Sequence, residues 1–255
     1  MLNEPTGTIT TLTIVLSSLL LFACATEEEN SITIDTTPAS IPADAVLLTD
    51  SNALTIATEL NVLARAINTA SKGESGNCQT SGTVTINWIK TTNPSNGTIS
   101  YSNCNVLNTI THGALGFSVN YTSSINYTLN SYGALSINDN GDDFRLFGIQ
   151  LTEIGQSVDP NPYPYNRDLT FAVTSNAAIG GGVLFQTITE LYGSSDTCAY
   201  NGTLLVSGAS GSKLKISFTS TDVSIELDDG VDGNGPIYVA IPGSPFATND
   251  NGPCF

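Results

Sequence analysis

An activated serine nucleophile needs a base to receive its proton, and the chain has a single imidazole, in Thr111-His112-Gly113. Lying between two apolar runs, His112 reads as a turn residue. No Gly-X-Ser-X-Gly elbow is present; Gly208-Ala209-Ser210-Gly211-Ser212 is a glycine-rich hairpin loop with different spacing. One histidine also excludes multi-His metal centres. The carboxylates gather in turns: Asp139, Asp142 and Asp143, then Asp228, Asp229 and Asp232. Carboxylate pairs for glycoside hydrolysis come from distant strands, so spacing alone does not exclude them. Tyr163 and Tyr165, in a proline-rich segment, are the residues that would stack on a sugar, although loop tyrosines more often serve packing.

The second acidic turn is the one to test for calcium. An EF-type loop places oxygens at positions 1, 3 and 5, glycine at 6 and a carboxylate at 12. Counted from Asp228, position 3 is Gly230 and position 12 is Val239, so two essential ligands are missing. What remains is a loose site of Asp228, Asp232 and Asn234, set against an ordinary Asp/Gly hairpin turn. No phosphate loop, dinucleotide fingerprint or haem motif occurs. The expectation is a protein without a catalytic centre, cofactor or strong metal site.

Bulk composition points the same way. Seven basic side chains against 23 acidic ones give a net charge of −16, and nucleic-acid binding needs clustered Lys and Arg. Charged residues are only 12% of the chain and hydrophobic ones 40%, a folded and polar-uncharged profile rather than a disordered one. Thr, Ser, Asn and Gly abound, as in exported β proteins.

Residues 9–23, ITTLTIVLSSLLLFA, form an apolar run too short and too rich in Ser and Thr for a comfortable membrane span. They have the form of a secretory signal. The run closes on Leu21-Phe22-Ala23-Cys24, which resembles the lipobox of bacterial lipoproteins. That resemblance implies a signal peptide over 1–23, a covalent diacylglycerol and acyl lipid on Cys24, and stable membrane attachment through several chains. The sorting rule it brings points to the outer membrane, because Ala25 rather than aspartate follows the cysteine. Residues 24–45 then read as the lipidated cysteine and a flexible tether, with Glu27, Glu28, Glu29, Pro38 and Pro42. A tether of this composition spans roughly 25 Å.

In an oxidising compartment the four remaining cysteines, an even number, are expected to pair. Three connectivities exist. Proximity favours Cys78–Cys104 and Cys198–Cys254, and the absence of a Cys-X-X-Cys spacing argues against zinc or thiol redox chemistry.

These residues must be carried by a body over 46–255. Ala53, Ile56, Ala57, Leu60, Leu63, Ala64 and Ile67 fall on one helical face, which predicts a helix near 51–72. Asp50 or Ser51 is placed to cap it, and Lys72-Gly73 to end it. From Gly82 the period becomes two: Val84, Ile86 and Trp88; Leu115, Phe117, Val119 and Tyr121; Ile125, Tyr127 and Leu129; Leu214, Ile216 and Phe218. Apolar-in, polar-out alternation predicts antiparallel strands with one wet face. The expected fold is mainly β, about a dozen antiparallel strands in a sandwich or a curved half-barrel, with the helix packed on the sheet. Without aromatic girdles it does not read as an outer-membrane barrel.

The resulting functional expectation is a membrane-anchored envelope lipoprotein, not an enzyme, with a structural, adhesin-like or binding role. A polar Thr/Ser/Asn sheet face would serve such a module, with a glycan or envelope protein as partner. The alternative is a carrier of a lipophilic ligand, similar in outline to the lipoprotein-carrier half-barrels. Clean alternation leaves little apolar surplus for a cavity and favours the module. A carbohydrate-active enzyme comes third.

Overall fold

The computed structural model describes residues 34–90, 93–156, 164–194, 201–219, 223–230 and 239–240. The expected signal segment, Cys24, Cys198, Cys254, Asp232 and Asn234 lie outside these residues.

Among the described residues one α-helix, α1 (Ala53–Ala70), precedes the strands. Its buried positions are Ala53, Ile56, Ala57, Leu60, Leu63, Ala64, Ile67 and Ala70, the stripe that the 3.6-residue period picks out. Asn52, rather than Asp50 or Ser51, stands at the N-cap, and no side chain caps the helix. Asn52 is spent on the approach instead: its Oδ1 accepts from the Thr49 N–H at 2.8 Å and its amide donates to the Leu47 carbonyl at 2.9 Å. The helix stops through its own backbone, the Ser71 N–H reaching the Ile67 carbonyl at 2.8 Å, and Gly73 does not adopt a left-handed conformation.

Twelve strands follow among the described residues: β1 (Gly76–Asn77), β2 (Ser81–Ile89), β3 (Ser95–Val106), β4 (Thr109–Tyr121), β5 (Asn126–Asp139) and β6 (Asp142–Gln156). The second half comprises β7 (Pro164–Ser175), β8 (Gly181–Ser194), β9 (Asn201–Ser207), β10 (Lys213–Phe218), β11 (Val223–Asp228) and β12 (Val239–Ala240). They form one antiparallel sheet whose spatial order is the chain order, so β1 and β12 are its edges. Two connections are two-residue hairpin turns with positive φ at both positions: Leu107-Asn108 at 50° and 72°, and Asn140-Gly141 at 51° and 101°. That is the pattern whose twist suits the flanking strands.

Inner-face side chains from β3 (Ile99, Tyr101) to β11 (Ile225, Leu227) share one buried cluster with the helix. Nine strands laid flat would span about 38 Å, and a helix is only about 10–12 Å wide. The sheet therefore curls around α1. Register shifts between Gly133/Leu135, Phe147/Gln150, Arg167/Thr170 and Thr187/Thr189 lie in neighbouring strand pairs, and such bulges bend the strands that carry them. Of the two arrangements open from sequence, a single open curl is observed and not a pair of facing sheets.

The chain enters this curl along its outside. Ala39 lies against Gly148 of β6 and Pro42 against Gly182 of β8; the Val46 N–H donates to the Gly182 carbonyl at 2.9 Å. The Leu48 N–H then donates to Ser212 Oγ at 3.0 Å, and α1 begins. The body thus takes hold of the chain a few residues before position 46.

Candidate functional site: an apolar cleft backed by a buried ion cluster

Because α1 stops at Ala70, it leaves the inner face of β2–β5 uncovered at one end of the curl. A cleft of about 310 Å³ opens there, lined by Ile86, Trp88, Ile99, Phe117, Val119 and Leu129, with Ser71 and Lys72 where the helix ends. The sequence explains why aromatic rings meet in it. Trp88 pairs with Gly97 and Gly97 with Phe117, and a side chain at 97 would collide with the Phe117 ring. With glycine between them, the two rings close edge to face, centroids 5.7 Å apart at 79°. Lys90 Nζ sits over Trp88, 4.3 Å from the ring centroid, an attractive cation–π placement. Ile99, Phe117 and Leu129 are buried at its floor, whereas Trp88 and Tyr121, 38% and 44% accessible, stand at its open rim.

Beneath the helix end lies a charge cluster. Glu153 and Arg167 are cross-strand neighbours on β6 and β7, and Glu153 is fully buried. Arg167 donates to Glu153 Oε2 from Nη2 at 2.7 Å and from Nε at 3.1 Å. Lys72 Nζ contacts Oε1 at 2.7 Å and Oε2 at 2.9 Å. The Tyr127 hydroxyl donates to Oε1 at 2.6 Å; its opposite neighbour on β6 is Gly155, where a side chain would strike the phenol. Burial pushes the Glu153 carboxyl up, but the two cations and the hydrogen bonds from Lys72 and Tyr127 outweigh it and hold it below its ordinary value. Burial pulls the Lys72 ammonium down, with the Glu153 carboxylate opposing. Arg167 also lies over the Tyr165 ring at 4.2 Å, and burial raises the Tyr165 phenol. At the helix end the Tyr101 hydroxyl donates to the Ala70 carbonyl at 2.7 Å, and burial pushes that phenol up to about 12.

Each of the Lys72, Arg167 and Tyr127 contacts gives Glu153 a donor committed to it, the arrangement of a structural carboxylate. What the site can do chemically is hold an apolar body against aromatic walls and offer a cation at one end.

Sequence reasoning did not single out Glu153 or Arg167, and took Lys72 only as a cation that ends the helix. The signal was a charged residue on an apolar strand face: Arg167 is in phase with Leu169, Phe171 and Val173, and Glu153 with Ile149 and Leu151. The residues it did single out fall elsewhere. His112 is exposed inside β4, opposite Ser136, and not in a turn, because the turn is made by Leu107-Asn108. Asp139, Asp142 and Asp143 flank the β5–β6 hairpin turn. Asp228 is buried and accepts the Gly230 N–H at 3.0 Å, the local role of a turn aspartate; its suggested calcium partners Asp232 and Asn234 are outside the described residues. Among the described residues no three His, Cys, Asp or Glu side chains gather as a metal site. Cys78 and Cys104 form a disulfide with Cα atoms 5.4 Å apart, tying the β1–β2 connection to β3. Cys24, Cys198 and Cys254 fall outside the described residues.

Comparison with protein-family models, with curated proteins and with solved structures found no match.

Proposed function

We propose that this chain is a lipid-anchored protein of the bacterial envelope, held to the outer membrane through Cys24, that binds a lipophilic ligand without transforming it. The observation that carries the binding reading is the cleft: a partly open apolar space of about 310 Å³ between the end of α1 and the inner face of β2–β5. That volume lies at the lower end of the range for ligand sites. Apolar lining with few polar groups is what such sites require. Support for the anchor is the sequence Leu21-Phe22-Ala23-Cys24 followed by a polar, acidic segment.

The test is titration of the full-length protein with 1-N-phenylnaphthylamine, whose fluorescence rises in apolar surroundings. Saturable enhancement is expected, with affinity at least tenfold weaker in Val119→Trp, which fills the cleft. Absence of enhancement in the unmodified protein, or unchanged affinity in the variant, overturns the carrier reading. A second reading is favoured by Thr83, Thr85 and Asn87, which give β2 an exposed polar face. Such a face suits a structural or adhesin-like module, and that reading takes over if the titration fails.

A further inference from the structure

Three observations at the helix end say what kind of head group the cleft takes. Ser71 is 4% exposed, and its hydroxyl is buried without a hydrogen-bond partner, yet the residue lines the cleft. An unmet buried hydroxyl is costly, so a ligand atom that paired with it would bind more tightly. Lys72, also in the lining, keeps 32% of its side chain exposed. Its contacts go to Glu153, a carboxylate that retains Arg167 and the Tyr127 hydroxyl without it. Lys72 is paired with Glu153 but, partly exposed in the cleft lining, still presents its cation to a ligand there. Finally, among the described residues no aspartate or glutamate lines the cleft, and Lys90 stands at Trp88. In a chain with 23 acidic and seven basic residues, that is a local reversal of charge.

We infer that the cleft binds a single-chain carboxylate, a free long-chain fatty acid, with its carboxylate on Lys72 and Ser71 and its chain along Ile86, Phe117, Val119 and Leu129. This rests on the reading of the cleft as a lipophilic site and adds the head group and the chain number. A carboxylate accepts from both an ammonium and a hydroxyl, and the charge-assisted bond is the stronger of the two. A cleft at the bottom of the ligand-site size range favours one chain over two.

The experiment compares palmitate with hexadecanol, which shares the chain but not the charge, by displacement of 1-N-phenylnaphthylamine from the full-length protein at low ionic strength. Palmitate is expected to displace at a concentration at least tenfold lower, a difference of about 1.4 kcal/mol. Lys72→Met is expected to abolish that preference, and Lys72→Arg to keep it. Equal displacement by both ligands overturns the head-group assignment while leaving the apolar cleft intact. If the fluorophore binds and palmitate does not displace it, the inference fails on its own. If the fluorophore itself does not bind, the carrier reading fails and takes this inference with it. The comparison between ligands needs no variant, so a poorly folding substitution does not weaken it.

Discussion

Replacing Arg167 by methionine isolates the electrostatic design of the core. Glu153 is 0% exposed, and Arg167 meets it at 2.7 Å from a side chain that is itself 3% exposed. Removing one partner of a buried ion pair strands the other, at about 3–5 kcal/mol. Lys72 and Tyr127 remain, which places Arg167→Met near the lower end, at about 3 kcal/mol. The pH dependence has a definite sign. In the unmodified protein the Glu153 carboxyl is held below its ordinary 4.5, so its stabilisation is complete above that value and is lost as pH falls through the folded-state pKa. Without Arg167 the balance moves toward burial, the largest single influence, and the carboxyl rises. A carboxyl that titrates higher than in the unmodified protein loses less on acidification, so the variant's penalty should shrink as pH falls. Urea unfolding followed through Trp88, the chain's one tryptophan, reads both quantities. The double variant Glu153→Leu/Arg167→Met should recover most of the loss, since an apolar pair replaces an ionic one at little cost. A loss below about 1 kcal/mol at pH 7, or one that grows on acidification, would refute the reasoning.

Tyr127→Phe removes the hydroxyl donated to Glu153 and should cost about 1.5 kcal/mol in the same urea assay, with 1-N-phenylnaphthylamine binding retained. Cys104→Ser opens a loop of 26 residues and should lower stability by about 3.5 kcal/mol on chain-entropy grounds; a reducing agent should lower the unfolding midpoint of the unmodified protein at least as far. Cys24→Ser should leave an unprocessed or soluble protein on cell fractionation, and unchanged membrane association would defeat the lipid-anchor proposal.

The fold was legible where a period ran unbroken. The aliphatic stripe of α1 has no competing reading, and the runs around Leu214, Ile216 and Phe218 needed only Gly208 and its neighbours to bound them. Cys78–Cys104 followed from proximity. The ion cluster was hidden for two physical reasons. The bulge at Gly148 moves the apolar face of β6 from Phe144 and Leu146 to Ile149 and Leu151, so Glu153 looks out of phase when counted from the strand's start. Its partners are also remote, Arg167 by 14 residues and Lys72 by 81. The cleft could not be read at all. Alternation says which side chains face inward, but whether they meet a helix or open space depends on where α1 stops.

A sheet whose spatial order repeats its chain order has a kinetic consequence. Each strand pairs with the one synthesised just before it, and closing a short connection costs little chain entropy, so the meander can assemble vectorially with unusually local contacts for a β protein. The helix has no such advantage. It precedes every strand, yet Leu60, Ala64 and Ile67 are buried to within 1% by a curl that closes only when the late strands arrive. The segment that is synthesised early therefore gains its protection late. Pulsed hydrogen exchange should find the amides of β3–β6 guarded before those of α1, and during that interval the apolar stripe of α1 is the surface most in need of a chaperone.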